Sequence, residues 1–152
     1  MKHRVKGNND MKSNRQMIIS IVVETITAML FICDLVLEAI YIFLNKITFF
    51  VAIESIVPAL GFYVLLTLMQ SNTQLWNIFI PVTAQNNIYA LYLAKGLKML
   101  FCAMTLYTAI CDLFKMTAMN YVFWIFLILA LVISIYCKYK MWIILKKNRP
   151  KK

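Results

Sequence analysis

Charge is scarce in this sequence. Lysine, arginine, aspartate and glutamate make up 14% of the 152 residues, against about 25% in an ordinary soluble domain, which excludes a water-facing surface of normal composition. Acid is scarcer still, at six residues against sixteen basic ones. His3 is the single histidine, so a histidine-built metal site or a Ser-His relay has nothing to assemble around. The four cysteines, Cys33, Cys102, Cys111 and Cys137, form no CxxC pair and no zinc-type spacing. Cys102 and Cys111 fall on one expected helix about 13 Å apart by rise, out of disulfide range. No metal and no cofactor are implied, and the expectation is a protein that is not an enzyme.

Hydrophobicity fills the space that charge leaves. Apolar residues reach 62%, where about 45–50% is usual, and they gather in four stretches near or beyond the about 20 residues that a helix needs to cross a bilayer. The spans are read as Met17 to Leu44, Ile47 to Met69, Ile88 to Phe114 and Tyr121 to Tyr139. The expected fold class is therefore all-α: one polytopic integral membrane domain over residues 1–152, with basic tails at 1–16 and 140–152. Little chain is left for an appended catalytic or DNA-binding module. The first apolar run is about twice the usual ~7–15 residues of a secretory signal, contains Glu24 and Asp34, and has no small-x-small site after it. It reads as an uncleaved first helix, tilted or projecting from the membrane because its ~42 Å exceeds the hydrocarbon core.

The basic residues set the threading. Lys2, Arg4, Lys6, Lys12 and Arg15 precede the first span, and Lys138, Lys140, Lys146, Lys147, Arg149, Lys151 and Lys152 lie at or beyond the end of the last. Short cytoplasmic segments carry the Lys/Arg excess, so both termini are expected inside, with Lys46 and Lys115 marking the outer turns. The short connections at Asn45-Lys46 and at residues 115–120 make two antiparallel hairpins. Residues 70–87 are uncharged and centre on Trp76, which suits either the headgroup interface or a loop packed on the helices. Residues 138–152 mix Trp142, Ile143, Ile144 and Leu145 with basic side chains, as expected of a helix end lying on an anionic inner leaflet. Nucleic-acid binding, the other use of a basic tail, has no recognisable fold to support it.

The acids stand in costly places. Glu24, Asp34, Glu38, Glu54 and Asp112 all fall inside proposed spans, where a charged side chain costs roughly 2.5–3.5 kcal/mol on insertion scales, so each is expected to face other helices, pair, or sit protonated. Glu24, Asp34 and Glu38 share one sector of the first helix. Glu38 and Glu54 are expected at similar depth near the outer turn, with Asp34 and Asp112 in the same half, forming a candidate ion or proton site. Glu24 lies at the depth of Lys95 and Lys98, a candidate intramembrane ion pair. The third helix aligns Lys98, Cys102, Thr105, Ala109 and Asp112 in a stripe of small and polar residues suited to close contact. Pro58 removes the amide that would bond the Glu54 carbonyl and Gly61 continues the same face, so a kink beside a carboxylate is expected.

Two functional classes follow. The first is a small non-enzymatic accessory, regulatory or immunity-type protein acting through other membrane components, by contact with another membrane protein or with a second copy. The alternative is a small cation- or proton-coupled transporter or channel using Glu54, Glu38, Asp34 and Asp112. The Lys-, Ile- and Asn-rich composition points to an AT-rich genome and to a bacterial cytoplasmic membrane.

Overall fold

Long runs of leucine, isoleucine, phenylalanine and methionine with few glycines or prolines favour continuous helix, and helix is what forms. In the computed structural model, residues 2–44, 49–78, 81–114, 116 and 120–147 are described, with side chains from Gln16 onward except those of residues 49, 51, 52, 54, 55 and 76–78. Four helices occur in order: α1 (Lys2–Phe43), α2 (Phe49–Ser71), α3 (Asn87–Leu113) and α4 (Asn120–Lys147). A short 3₁₀ turn covers Thr73–Ile78, and no strand is found among the described residues. Gln16–Phe43, Asn87–Leu113 and Asn120–Lys147 are each long and apolar enough to cross a membrane, whereas the described apolar part of α2, Ile56–Ser71, is shorter.

One boundary differs from the sequence expectation. The stretch read as an N-terminal tail is the first part of α1, which begins at Lys2 and runs unbroken for 42 residues, about 63 Å by rise. The C-terminal stretch, expected to be a helix end beyond the span, continues α4 from Tyr139 to Lys147. Both continuations have one cause. Hydropathy marks where the surroundings change, whereas a helix continues as long as its backbone bonds are made, and Lys, Arg, Gln and Met are good helix formers. The outer-turn residues Lys46 and Lys115 lie outside the described residues.

Side-chain pairs fix how the helices run. Glu24 meets Gln70 and Phe31 stacks on Tyr63 at 4.4 Å, so α1 and α2 are antiparallel. Phe62 stacks on Phe101 at 4.8 Å, and Tyr107 meets Phe123 edge-on, so α2 and α4 both run against α3. Ser20 meets Lys95, Glu24 meets Lys98, and Tyr41 meets Ala109, which makes α1 and α3 parallel. α3 is central. It packs on α1, α2 and α4, while among the described residues the backbone of α4 comes within 8 Å (Cα to Cα) of no other helix. One apolar cluster joins Ala90, Leu93 and Ala94 of α3 to Cys137 and Met141 of α4, and a second joins Phe31, Ala59 and Cys102 of α1, α2 and α3.

In the connection from α2 to α3, the described turn just before α3 is built on Asn86, whose side chain is fully buried. Its Oδ1 accepts from the Thr83 amide at 2.7 Å and its Nδ2 donates to the Pro81 carbonyl at 3.0 Å. An amide can satisfy a donor and an acceptor at once, which a buried turn requires.

Pro58 does not end α2, which is helical from Phe49 to Ser71. Gly61 has open space around it, since a Cβ there would meet nothing within 4 Å. Gly61→Ala is therefore expected to raise stability by about 0.5–1 kcal/mol, the usual penalty of glycine within a helix, with no effect on packing. Thermal unfolding in detergent measures it; a lower midpoint would mean that the glycine is needed for flexibility around Pro58.

Candidate functional site

Between Ser20 and Tyr41, most of the buried side chains of α1 are polar and most of its exposed ones apolar. The side chains turned toward its neighbours are Ser20, Glu24, Thr27, Phe31, Asp34, Glu38 and Tyr41, spaced alternately four and three residues apart. This is the 3.5-residue repeat that keeps one seam of a helix against a partner. Its other faces expose Ile18, Ile21, Val22, Met29, Ile32 and Val36. α3 answers with the same alternation, through Lys95, Lys98, Cys102, Thr105 and Ala109, of which all but Thr105 are buried.

At one end of the seam Glu24 joins three helices. Its Oε1 accepts from Lys98 Nζ at 2.5 Å, its Oε2 accepts from Gln70 Nε2 of α2 at 3.2 Å, and Lys95 Nζ stands 3.7 Å away. Lys98 is 1% exposed, and its ammonium also lies 4.1 Å from the centre of the Tyr63 ring, a cation–π contact that gains strength where water is excluded. Lys95 donates to the Ser20 hydroxyl and carbonyl. The two cations and one carboxylate are thus held by a hydroxyl, an amide, a carbonyl and an aromatic face. The Gln70 amide orientation follows from Glu24, since its oxygen would be repelled by the carboxylate; that oxygen, Oε1, is buried without a hydrogen-bond partner.

The other end is acidic. Asp34 and Glu38 are buried at 5% and 9% exposure, and they interact electrostatically with each other, while Thr105 hydrogen-bonds Asp34. Tyr41 donates its hydroxyl to the Ala109 carbonyl at 2.7 Å and lies within electrostatic range of Glu38 and Asp112. Asp112 itself is exposed. Asp34 is ten residues from Glu24, about 15 Å by rise, and Thr27, Phe31 and Cys102 fill the interval. The Glu54 side chain lies outside the described residues. Its backbone belongs to α2, and continuing the register set by Glu24 with Gln70 and Phe31 with Tyr63 brings it level with Ile40, between Glu38 and Tyr41.

The structure thus brings Glu24, Lys95 and Lys98 together, and separately Asp34 and Glu38; Asp112 is exposed and shares only the electrostatic surroundings of Tyr41 with Glu38. Ser20, Gln70, Tyr63 and Tyr41 were not singled out by sequence reasoning. The alternating spacing on α1 was a signal that could have found Ser20 and Tyr41; nothing local to Gln70 or Tyr63 could.

The chain matches no protein-family model, no curated protein and no solved structure. Function must therefore be argued from the seam. Among the described residues no group of three or more His, Cys, Asp or Glu is placed to hold a metal ion. The cysteines are free thiols, with Cys102, Cys111 and Cys137 buried and Cys33 exposed. What the seam supplies is carboxylate and hydroxyl oxygen at one end and, at the other, an ion-paired cluster of two lysines and one carboxylate. The first can take a proton or a hard cation; the second holds helices together.

Proposed function

We propose that this chain is a four-span protein of a bacterial cytoplasmic membrane, with both ends in the cytoplasm, which catalyses no reaction and acts on other membrane components in an accessory, regulatory or immunity role. The observation that carries the reading is the inverted polarity of α1, with its polar side chains packed against α3 and its apolar ones outward. That suits hydrocarbon surroundings and is the reverse of a helix in water. The exposed hydroxyls of Thr25 and Thr67 return to carbonyls of their own helices, Ile21 and Tyr63, as groups facing lipid must. On α4, Tyr121 and Trp142 are both exposed and stand about 31 Å apart by rise, close to the thickness of the hydrocarbon core between two aromatic belts. Lys138, Lys140, Lys146 and Lys147 cluster at the Trp142 end, where an anionic inner leaflet would hold them. Nearly all the described residues are helical, so the surface open to a partner protein or a second copy is a helical, apolar one.

Two measurements test this reading. In a cysteine-free background, Lys46→Cys is expected to react with an impermeant thiol reagent on intact cells and Lys147→Cys is not; the opposite pattern would reverse the threading. In-membrane crosslinking is expected to capture a stoichiometric membrane partner. The burial of Asp34 and Glu38 supports a second reading, cation or proton movement using these residues with Glu54 and Asp112. It predicts ion flux in proteoliposomes that Asp34→Asn, Glu38→Gln or Glu54→Gln abolishes while expression is retained. Partner capture unaffected by those changes, with no flux, favours the first reading.

A further inference from the structure

α2 and α4 both pack on α3, and among the described residues no Cα of one lies within 8 Å of a Cα of the other, which leaves a cleft between them. Its floor is α3, through Leu100 and Met104, and its walls are Phe62 and Leu66 of α2 and Leu127 and Ala130 of α4. The cavity is about 500 Å³, within the roughly 300–1,000 Å³ of ligand pockets. Aromatic contacts hold the walls apart: Phe62 stacks on Phe101 of the floor at 4.8 Å, and Phe123 of α4 leans on Tyr107 of α3. Phe62 and Leu127 are each 50% exposed, so the cleft opens sideways, along the helices' outer surface.

An empty cleft of this size forfeits the dispersion contacts of every side chain that lines it, and the lining says what can restore them. All eleven lining residues are apolar, so the occupant carries no polar group along the part that enters. A helix from another protein fits poorly. Apolar side chains alone do not drive helix association in lipid, which needs small residues for close approach or polar groups to bond across, and Ala130 is the one small residue in the lining. A flexible single file of methylenes needs neither. We propose that this cleft is a binding site for one acyl chain of a bilayer lipid, held between α2 and α4 against the middle of α3.

The inference rests on the membrane reading above, and the experiment separates the two. If alkaline carbonate alone releases the full-length chain from membranes, the membrane reading fails. With the chain retained, native mass spectrometry of detergent-purified protein is expected to find one phospholipid per chain after delipidating washes. Ala130→Trp, which fills the cleft, is expected to lower its occupancy about tenfold, equivalent to about 1.4 kcal/mol of affinity; Val132→Trp, at an exposed position of α4, is expected to leave it unchanged. Equal retention in the wild type and Ala130→Trp, no retained lipid at all, or a retained mass that is not a lipid would overturn the site. A second measurement avoids the filled variant. In Trp76→Phe/Trp142→Phe protein, Trp124 is the remaining tryptophan and lines the cleft. Brominated-chain lipid added in detergent is expected to quench it saturably at one lipid per chain, and quenching that rises without saturation counts against the proposal.

Discussion

Glu24→Gln is expected to destabilise the folded chain by about 1–3 kcal/mol, less than the cost of breaking a fully buried pair because the Glu24 side chain is 33% exposed. Lys98 is 1% exposed and has its closest oxygen partner in Glu24 at 2.5 Å. Without the carboxylate's charge, its ammonium keeps no more than a neutral amide oxygen and the face of Tyr63, and Lys95 loses its nearest anion as well. Lys98→Met is expected to cost less, because Lys95 remains close enough to neutralise Glu24. The double variant Glu24→Gln/Lys98→Met is expected to be more stable than Glu24→Gln alone, with a coupling of about 0.5–3 kcal/mol between the sites. Equilibrium unfolding in mixed detergent measures all three. Strict additivity would mean that the pair is no more than a surface contact, which the burial of Lys98 argues against.

The second large effect is at Gly96. A Cβ there would stand 3.2 Å from Ile133 Cγ2 and 3.5 Å from its Cδ1, so the missing side chain is what lets α3 and α4 approach. Gly96→Leu places three more carbons beyond that point and is expected to cost about 1–3 kcal/mol by overpacking. The consequence reaches beyond the local clash, because α3 is the helix on which α4 rests. Ile133→Ala removes the colliding atoms and is expected to recover most of the loss in the double variant. Thermal unfolding of the four proteins gives the comparison; no recovery would mean that Gly96 matters for its backbone and not for the space above it.

Much of the helical framework was legible because a helix in apolar surroundings advertises itself by length and composition. The acidic side of α1 was legible too, because Glu24, Asp34 and Glu38 fall in one sector by the rotation of a single helix, and this calculation needs no knowledge of any partner. Contacts between helices are another matter. Gln70 and Tyr63 become important only once α2 is set against α1 and α3 at a particular register, and register is decided by the sum of many packed pairs. Glycine shows the same limit. Gly61 drew notice for its place after Pro58, yet it faces open space, whereas Gly96 was unremarkable in sequence and sits under Ile133. The helical start of α1 was not legible, because charge marks a change of solvent and does not interrupt a helix.

Glu24 and Lys98 are 74 residues apart in the chain, and the helices that carry them lie side by side and parallel. At about 5–20 residues per second of synthesis, α1 exists for roughly 4–15 s before the lysines that neutralise it have been made. In the four-span arrangement, a helix carrying three carboxylates must spend that interval without α3. Its acids stay in water, take up protons, or lean on polar groups of the insertion machinery. The first helix is therefore a guest before it is a wall, and the order of synthesis makes α3 the piece that completes the charged seam of α1.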